Sequence, residues 1–534
     1  MIDQYITHFV QRITISMNVL LLVVNTFIVT LLVVLWHTGI VMAMRGSVLV
    51  FLTVLLFFFA LYRPWWAFLF FVGMLPLEAV AVPVVAGIDV RPYQLLGSVL
   101  ILALIVRAVT GRSTRRVFRW RWWDSAVIIF AIGGFVAAIF ANHYDEAFIQ
   151  AGIVSSFVAW YFLARYFVRG PMAARLPLLF FFTSSSVVVL YGMWQSWQFV
   201  HSGIVATMVA RPNATFAEPD WFGVFLVFVS ALIYGALHAV RLLRYGTAIY
   251  NKRQVIFYSI LLWGLLFLVY SALIVTVARS AWIGVCVTTV FFIACFLLRR
   301  DWRGMLWHGA GIIVGIVGAL VIVTVFSFTT FNIGDRVRSV GNGMQMITVA
   351  CRSADAATAL TQRGQIDNVR QLATFGCRHI ALEEIVQRRD EGFTITQVMR
   401  PDPSHGVRRI IYAKVVTLLI QRSWQKSIFG SGWGQTDLGY DANGTRLNAS
   451  NVFLEVLVNT GALGFCAFIV LLCSVFWRGI RGIVAIDAQN SLHIYAYFAI
   501  IGTIAFIVPN LFNAGILLGF IWVFLGMMAG LRRV

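Results

Sequence analysis

Residues 306–340 read LWHGAGIIVGIVGALVIVTVFSFTTFNIGDRVRSV. The first part, 306–330, is apolar and long enough to cross a bilayer, which takes about 20 residues of helix. From Phe331 the chain turns polar and stays so to Ser450. Working outward, similar apolar windows lie near 17–36, 46–62, 65–85, 93–110, 125–141, 147–168, 174–200, 221–240, 255–277 and 280–298. Three more follow the polar insert, near 452–477, 491–511 and 514–530. With 60% hydrophobic and 12% charged residues in 534, a soluble chain could not hide this much apolar surface. The expected fold class is an all-α polytopic membrane protein of about 12–14 transmembrane helices. Its parts are an N-terminal bundle at 1–330 (about eleven spans), a mostly helical loop domain at 331–450, and C-terminal helices at 451–534 (about three spans). The first window is longer than a signal-peptide core and lacks a clear small-residue cleavage site, so it reads as a retained helix.

The net charge of +20, from 41 Lys+Arg against 21 Asp+Glu, would suggest nucleic acid in a soluble protein. Its distribution argues against that partner. The cations punctuate alternate loops: Arg112, Arg115, Arg116, Arg119 and Arg121; Arg169 and Arg175; Arg241, Arg244, Lys252 and Arg253; Arg299, Arg300 and Arg303; Arg478 and Arg481; Arg532 and Arg533. The intervening loops are short and neutral or acidic. By the positive-inside rule both termini are cytoplasmic and the insert is extracytoplasmic.

Local signals refine this outline. Pro76, Pro83 and Pro92 suggest that the third span ends in a broken or re-entrant segment. Gly309, Gly311, Gly315 and Gly318 fit close helix packing. Within the insert, helical apolar spacing at 344–362 and 365–389 around Gly364 predicts a helical hairpin. Residues 407–428 read as a basic amphipathic helix at the headgroup level, stopped by Gly430-Ser431-Gly432-Trp433-Gly434. Cys286, Cys295, Cys466 and Cys473 fall in spans and read as small apolar residues. Cys351 and Cys377 lie in the insert and can pair if its compartment is oxidising. No Cys/His spacing resembles a metal site, and no cofactor is expected.

Four segments carry groups suited to chemistry. In the first, Arg211, Glu218 and Asp220 lie just before the eighth span. Arg211 suits a phosphate and either carboxylate an acceptor hydroxyl; the plainer reading is an interfacial loop anchored by Trp221. In the second, Arg279 stands between two spans with almost no loop, either snorkelling or binding an anion through its two-donor fork. In the third, Arg408, Arg409 and Tyr412 lead towards the glycine turn at 430–434. That turn can present backbone N–H groups to a phosphate or sugar, or merely stop a helix. In the fourth, Asn451 precedes Glu455 and Asn459, which share one helix face and point into the bundle.

Together these segments resemble the O-antigen ligase/O-antigen polymerase superfamily of bacterial membrane glycosyltransferases. The likeness spans roughly residues 200–470 and rests on Arg211…Phe216…Glu218-Pro219, Ala278-Arg279-Ser280-x-Trp282, Arg409…Gly430-x-Gly432-x-Gly434, and Asn451-x-x-Leu454 followed by Gly461-x-x-Gly464. The resemblance implies a GT-C-like fold in the bacterial inner membrane and a metal-independent, inverting transfer. The donor would be a saccharide on undecaprenyl pyrophosphate and the acceptor a glycan. Arg211 and Arg279 match the arginines that hold the pyrophosphate, and Arg409 is a candidate third. Tyr412, Asn451 and Glu455 complete the expected binding set. Ligases of the superfamily usually carry His before the residue matching Asn451. Here Ser450 takes that place, and a serine hydroxyl is a poor base near neutral pH. This favours a polymerase, with Glu218 or His405 as substitute base. Membrane lipids, a flippase and a chain-length regulator are the implied partners. A ligase, a lipid or polysaccharide transporter, and an envelope scaffold with the insert as docking domain are the alternatives. A transporter site would lie nearer the midplane, on repeated broken helices.

Overall fold

The computed structural model describes residues 2–40, 46–80, 82–85, 88–112, 120–202, 211–246, 252–329, 331, 333–334, 343–380, 384–401, 403–435, 449–485 and 491–531. The chain is a predominantly helical polytopic membrane protein. Among the described residues, eleven helices are long and apolar enough to cross a membrane, and three shorter apolar helices join them. Eleven of these fourteen precede the insert: α1 (Ile2–His37), the shorter α2 (Gly46–Tyr62) and α3 (Pro64–Met74), α4 (Pro92–Val109), α5 (Trp122–Ile139), α6 (Tyr144–Phe167), α7 (Pro171–Ser202), α8 (Pro219–Gly246), α9 (Lys252–Thr276), α10 (Arg279–Leu298) and α11 (Trp302–Val325). Each apolar window read from the sequence up to the insert falls on one of these. The window at 65–85 is cut short: α3 ends at Met74, and a two-stranded hairpin, β1 (Val82–Val85) and β2 (Ile88–Val90), precedes Pro92. Three of the four glycines of α11 pack closely on α9, while Gly309 makes only an ordinary contact with Ile293 of α10. A Cβ at Gly311 would collide with Trp263, and Gly315 and Gly318 lie against Tyr270 and Phe267.

The insert departs from the helical-hairpin reading. Residues 344–362 are not one helix but a strand, β3 (Met344–Cys351), and a helix, α12 (Ala354–Arg363). Residues 365–389 hold a 3-10 turn (Val369–Phe375), strand β4 (Cys377–His379) and the short helix α13 (Ile385–Asp390). Strand β5 (Thr394–Pro401) completes an antiparallel sheet of order β4-β3-β5. The reason is local and tertiary together. Ile347, Thr348 and Val349 are β-branched and suit a pleated surface. Ile347, Val349 and Cys351 alternate onto one face, where they pack with Ala357, Leu360 and Val398 in a core separate from the bundle. Gly376, at φ +66°, ends the 3-10 turn and delivers Cys377 to Cys351, with which it forms a disulfide. The basic amphipathic stretch does form: α14 (Pro403–Gln421) and α15 (Trp424–Phe429), split by a Ser423 cap.

Beyond the insert follow α16 (Val452–Ala485), α17 (Ser491–Asn510) and α18 (Gly519–Gly530). Helix α18 is short because it does not face lipid: its residues are buried throughout. Gly526 sits against the carbonyl of Tyr161 so closely that no side chain fits. A 12-residue helix survives there because neighbouring protein supplies the partners that lipid cannot.

Hydrogen bonds sort the connections onto two faces. On the face of the insert, Ala79 N donates to Thr215 O (2.6 Å) and His143 N to Gln435 Oε1 (3.1 Å). Ser196 Oγ donates to Phe328 O (2.6 Å). On the opposite face arginines close helix ends. Arg107 donates to Leu61 O (2.6 Å), Arg299 to Ile483 O (2.8 Å) and Arg478 to Leu531 O (2.5 Å). Arg241 forks onto Asp301 at 2.6 and 3.0 Å, and Asp301 also caps α11. Cations at C-terminal carbonyls complement the helix dipole. The alternate arginine loops therefore share one face, and the insert lies on the other.

Candidate functional site

The site is built where four loops of the insert face meet. The segment before α8 is held rigidly: Ala214, in the left-handed region at φ +48°, gives its N–H to Gln195 Oε1 (2.7 Å), and Thr215 Oγ1 donates to Pro76 O (2.6 Å). This anchoring fixes Arg211. Its Nε donates to Thr276 O at 2.6 Å and one terminal nitrogen meets Asp220 Oδ1 at 2.5 Å. Thr276 ends α9, and after Val277, again left-handed at φ +53°, Arg279 opens α10. Two arginines separated by 68 positions in sequence (279 − 211) are thus tied to one short turn. Non-glycine residues at such φ values cost roughly 1–2 kcal/mol each, and they persist only where the surroundings over-determine them.

Arg279 is half-buried at the first position of α10, following Ala278 as a cap without a side-chain hydrogen bond. Beside it, Ser280 Oγ accepts from Asn513 Nδ2 at 3.1 Å. The loop of Asn513 is a hub. Leu511 O accepts from Asn451 Nδ2 (3.0 Å), and Phe512 takes Arg408 over its ring at 5.7 Å and on its carbonyl at 3.5 Å. Helices α8, α10 and α16 all start on this face, so their positive dipole ends add to the guanidinium charges. The arrangement gathers cations and helix N-termini on one face, the features that attract an anion.

The carboxylates differ in environment. Asp220 is engaged by Arg211. Glu218 stands open to solvent at the start of α8 yet is flanked by protein. Desolvation, and then the neighbouring Asp220, raise its carboxyl above the ordinary range, with Arg211 opposing. A raised carboxyl beside one held by an arginine is the kind of asymmetry that divides roles between two carboxylates.

The other sequence-derived candidates are engaged as follows. Asn451 caps α16, accepting from Phe453 N (2.9 Å) and Leu454 N (3.1 Å). Glu455 accepts from Ala449 N (3.0 Å) and Asn459 Nδ2 (2.9 Å). Both side chains therefore fix the loop around Ser450, itself left-handed at φ +48°. Tyr412 packs beside Ile411, Val415 and Val458. Arg409 is exposed, and it is Arg408 that reaches the hub. His405 belongs to α14, and its side chain lies outside the described residues. The glycine turn is used for packing: Ser431 N and Gly432 N donate to Val458 O (3.2 Å) and Asn459 O (3.1 Å). A Cβ at Gly430 would meet Asn459 O, and one at Gly432 would meet Ala141 at 2.9 Å.

Two features escaped sequence reasoning. Asn513 sits in a short connection between apolar spans, with no charge to mark it. Glu78, fully buried, accepts from Arg91 (2.6 Å), Tyr93 (2.8 Å) and Gly519 N (2.9 Å), and so ties the start of α4 to the start of α18. Its signal was visible, as an acid in an apolar, proline-broken segment. Among the described residues, no group of three or more His, Cys, Asp or Glu could hold a metal ion. No protein-family model matches the chain, and no curated protein matches it significantly.

Proposed function

We propose that this protein is a GT-C-like membrane glycosyltransferase, a member of the O-antigen ligase/polymerase superfamily. It would polymerise undecaprenyl-pyrophosphate-linked oligosaccharides at the extracytoplasmic side of a bacterial inner membrane. The observation that carries this reading is the tie of Arg211 to the turn that presents Arg279, under the insert and at the N-terminus of α10. A lipid-linked pyrophosphate places its charge at that depth, whereas a transported solute would need its site nearer the midplane. The Cys351–Cys377 disulfide supports an oxidising compartment for the insert.

In this mechanism the arginines bind the pyrophosphate and stabilise the charge it gains as the glycosidic C–O bond breaks. Preorganised donors act more strongly on that developing charge than on the ground state. The acceptor hydroxyl oxygen attacks the anomeric carbon from the opposite side and forms the new bond with inversion. Its proton passes to Glu218, whose raised carboxyl is better matched to neutral pH than an ordinary one. Undecaprenyl pyrophosphate leaves. Ser450, turned by its left-handed backbone and followed by the Asn451 cap, supplies no base of the kind ligases use, which favours polymerisation.

The test is turnover of the purified protein with an undecaprenyl-pyrophosphate oligosaccharide from its own host. A ladder of lengthening lipid-linked products, lost in Arg279→Ala, supports the polymerase. Donor consumption only with a separate acceptor would make it a ligase. A folded, donor-binding protein without turnover would refute transferase activity.

A further inference from the structure

The face opposite the insert carries a feature unrelated to this chemistry. Between α10, α16 and α17 lies a crevice of about 390 Å³ lined by Phe291, Ala294, Cys295, Phe476, Ile480 and Ile500. Cys295 and Ile500 are buried at its floor, and Leu297 and Leu298 are exposed at its lip. Its walls belong to the last turns of α10 and the last third of α16, so it lies in the half of the bundle remote from the insert. No polar side chain other than the Cys295 thiol lines it. A void without partner atoms forfeits dispersion contacts, and a hydrocarbon chain from the surrounding bilayer restores them.

The remote end of the crevice is basic. Arg299 joins the end of α10 to that of α16 by donating to Ile483 O at 2.8 Å. Arg300 follows Arg299 in the chain, Arg303 lies in the first turn of α11 and Arg481 stands two residues before Ile483; all three are exposed, with Arg481 over the Trp477 ring at 5.2 Å. Asp301, the acid of this turn, is already neutralised by Arg241. Trp302, Trp307 and Trp477 are exposed on the helices that border this end, and tryptophans are enriched where hydrocarbon meets headgroups. Apolar tail space thus runs along helices that carry exposed arginines and tryptophans.

We propose that this crevice binds one anionic phospholipid, with an acyl chain between α10 and α16 and the phosphate at Arg300, Arg303 and Arg481. Basic pockets between membrane helices recognise anionic headgroups in this way. The site is independent of the transferase reading.

Native mass spectrometry of the full chain, released from phosphatidylcholine nanodiscs doped with phosphatidylglycerol, tests it. Retained phosphatidylglycerol should exceed its share of the disc. Ala294→Trp should abolish the retained adduct by filling the crevice. Arg300→Gln/Arg481→Gln leaves the helix packing untouched and should lower retention about fivefold per charge removed. Retention in proportion to the disc, or unchanged retention in the arginine pair, overturns the proposal. So does displacement of phosphatidylglycerol by added undecaprenyl phosphate, which would give the crevice to a polyprenyl tail.

Discussion

Arg211 and Asp220 meet at 2.5 Å across the loop before α8, while the same guanidinium donates through Nε to Thr276 O. The pairing presets the arginine without consuming its fork, since a guanidinium carries five donors. If Arg211 and Arg279 share the pyrophosphate, replacing either by Ala removes stabilisation that grows in the transition state. Loss of one such donor costs roughly 10²–10³-fold in kcat, and Lys, with a point charge instead of a fork, should restore only part. Steady-state turnover beside donor binding checks this; a change confined to KM would show uniform binding instead.

The Glu218 assignment makes a pH prediction with a definite sign. As base, Glu218 must be ionised, so kcat/KM rises with pH through its raised pKa. Asp220→Asn removes a negative neighbour that favours the protonated form, so the acid limb should move to lower pH. Glu218→Gln should flatten that limb and lower the rate roughly 10²–10⁴-fold while donor binding persists. An acid limb unmoved in both variants would assign the base elsewhere.

Which parts of this site were readable in the sequence follows from their physics. Arg211 and Arg279 stand out because a charge at the end of an apolar span is costly unless it has a task. The helices themselves are set by length and hydropathy, which act locally. The sheet at 344–401 depends on pairing Met344 with Pro401, a contact invisible to a sliding window. Residues 344–362 satisfy a helical spacing while β3 obeys an alternating one. Asn451 and Glu455 enter the expected binding set through the motif resemblance; in the structure their side chains also fix the start of α16 and the loop before it. Asn513 had no signal at all, since one amide between apolar runs is compatible with any loop.

Gly461 illustrates a motif residue whose reason is steric. It holds φ 65° and ψ −169° inside α16, a region open essentially to glycine. A Cβ there would collide with the carbonyl of Ile428. Gly461→Ala should cost roughly 3 kcal/mol or more in stability, as strain at a special backbone position does. Gly309→Ala, where a Cβ makes only an ordinary contact with Ile293 at 3.9 Å, should be neutral or stabilising by up to about 1 kcal/mol. Unfolding in detergent compares the two; equal effects would refute the steric account.

The disulfide gives the insert a stability separable from that of the bundle. Cys351 and Cys377 sit in a core of their own, with Leu360, Ile366 and Leu372, and close a loop of 26 residues. Chain entropy assigns such a closure about 3 kcal/mol, a large share of what so small a core supplies. Cys351→Ser/Cys377→Ser should therefore expose residues 344–401 to protease while the helices stay protected. If the insert face is the outer one, a membrane-impermeant reductant applied to intact cells should do the same. Protection unchanged by that reagent, but lost with a permeant one, would place the insert inside and reverse the orientation drawn from the arginine loops.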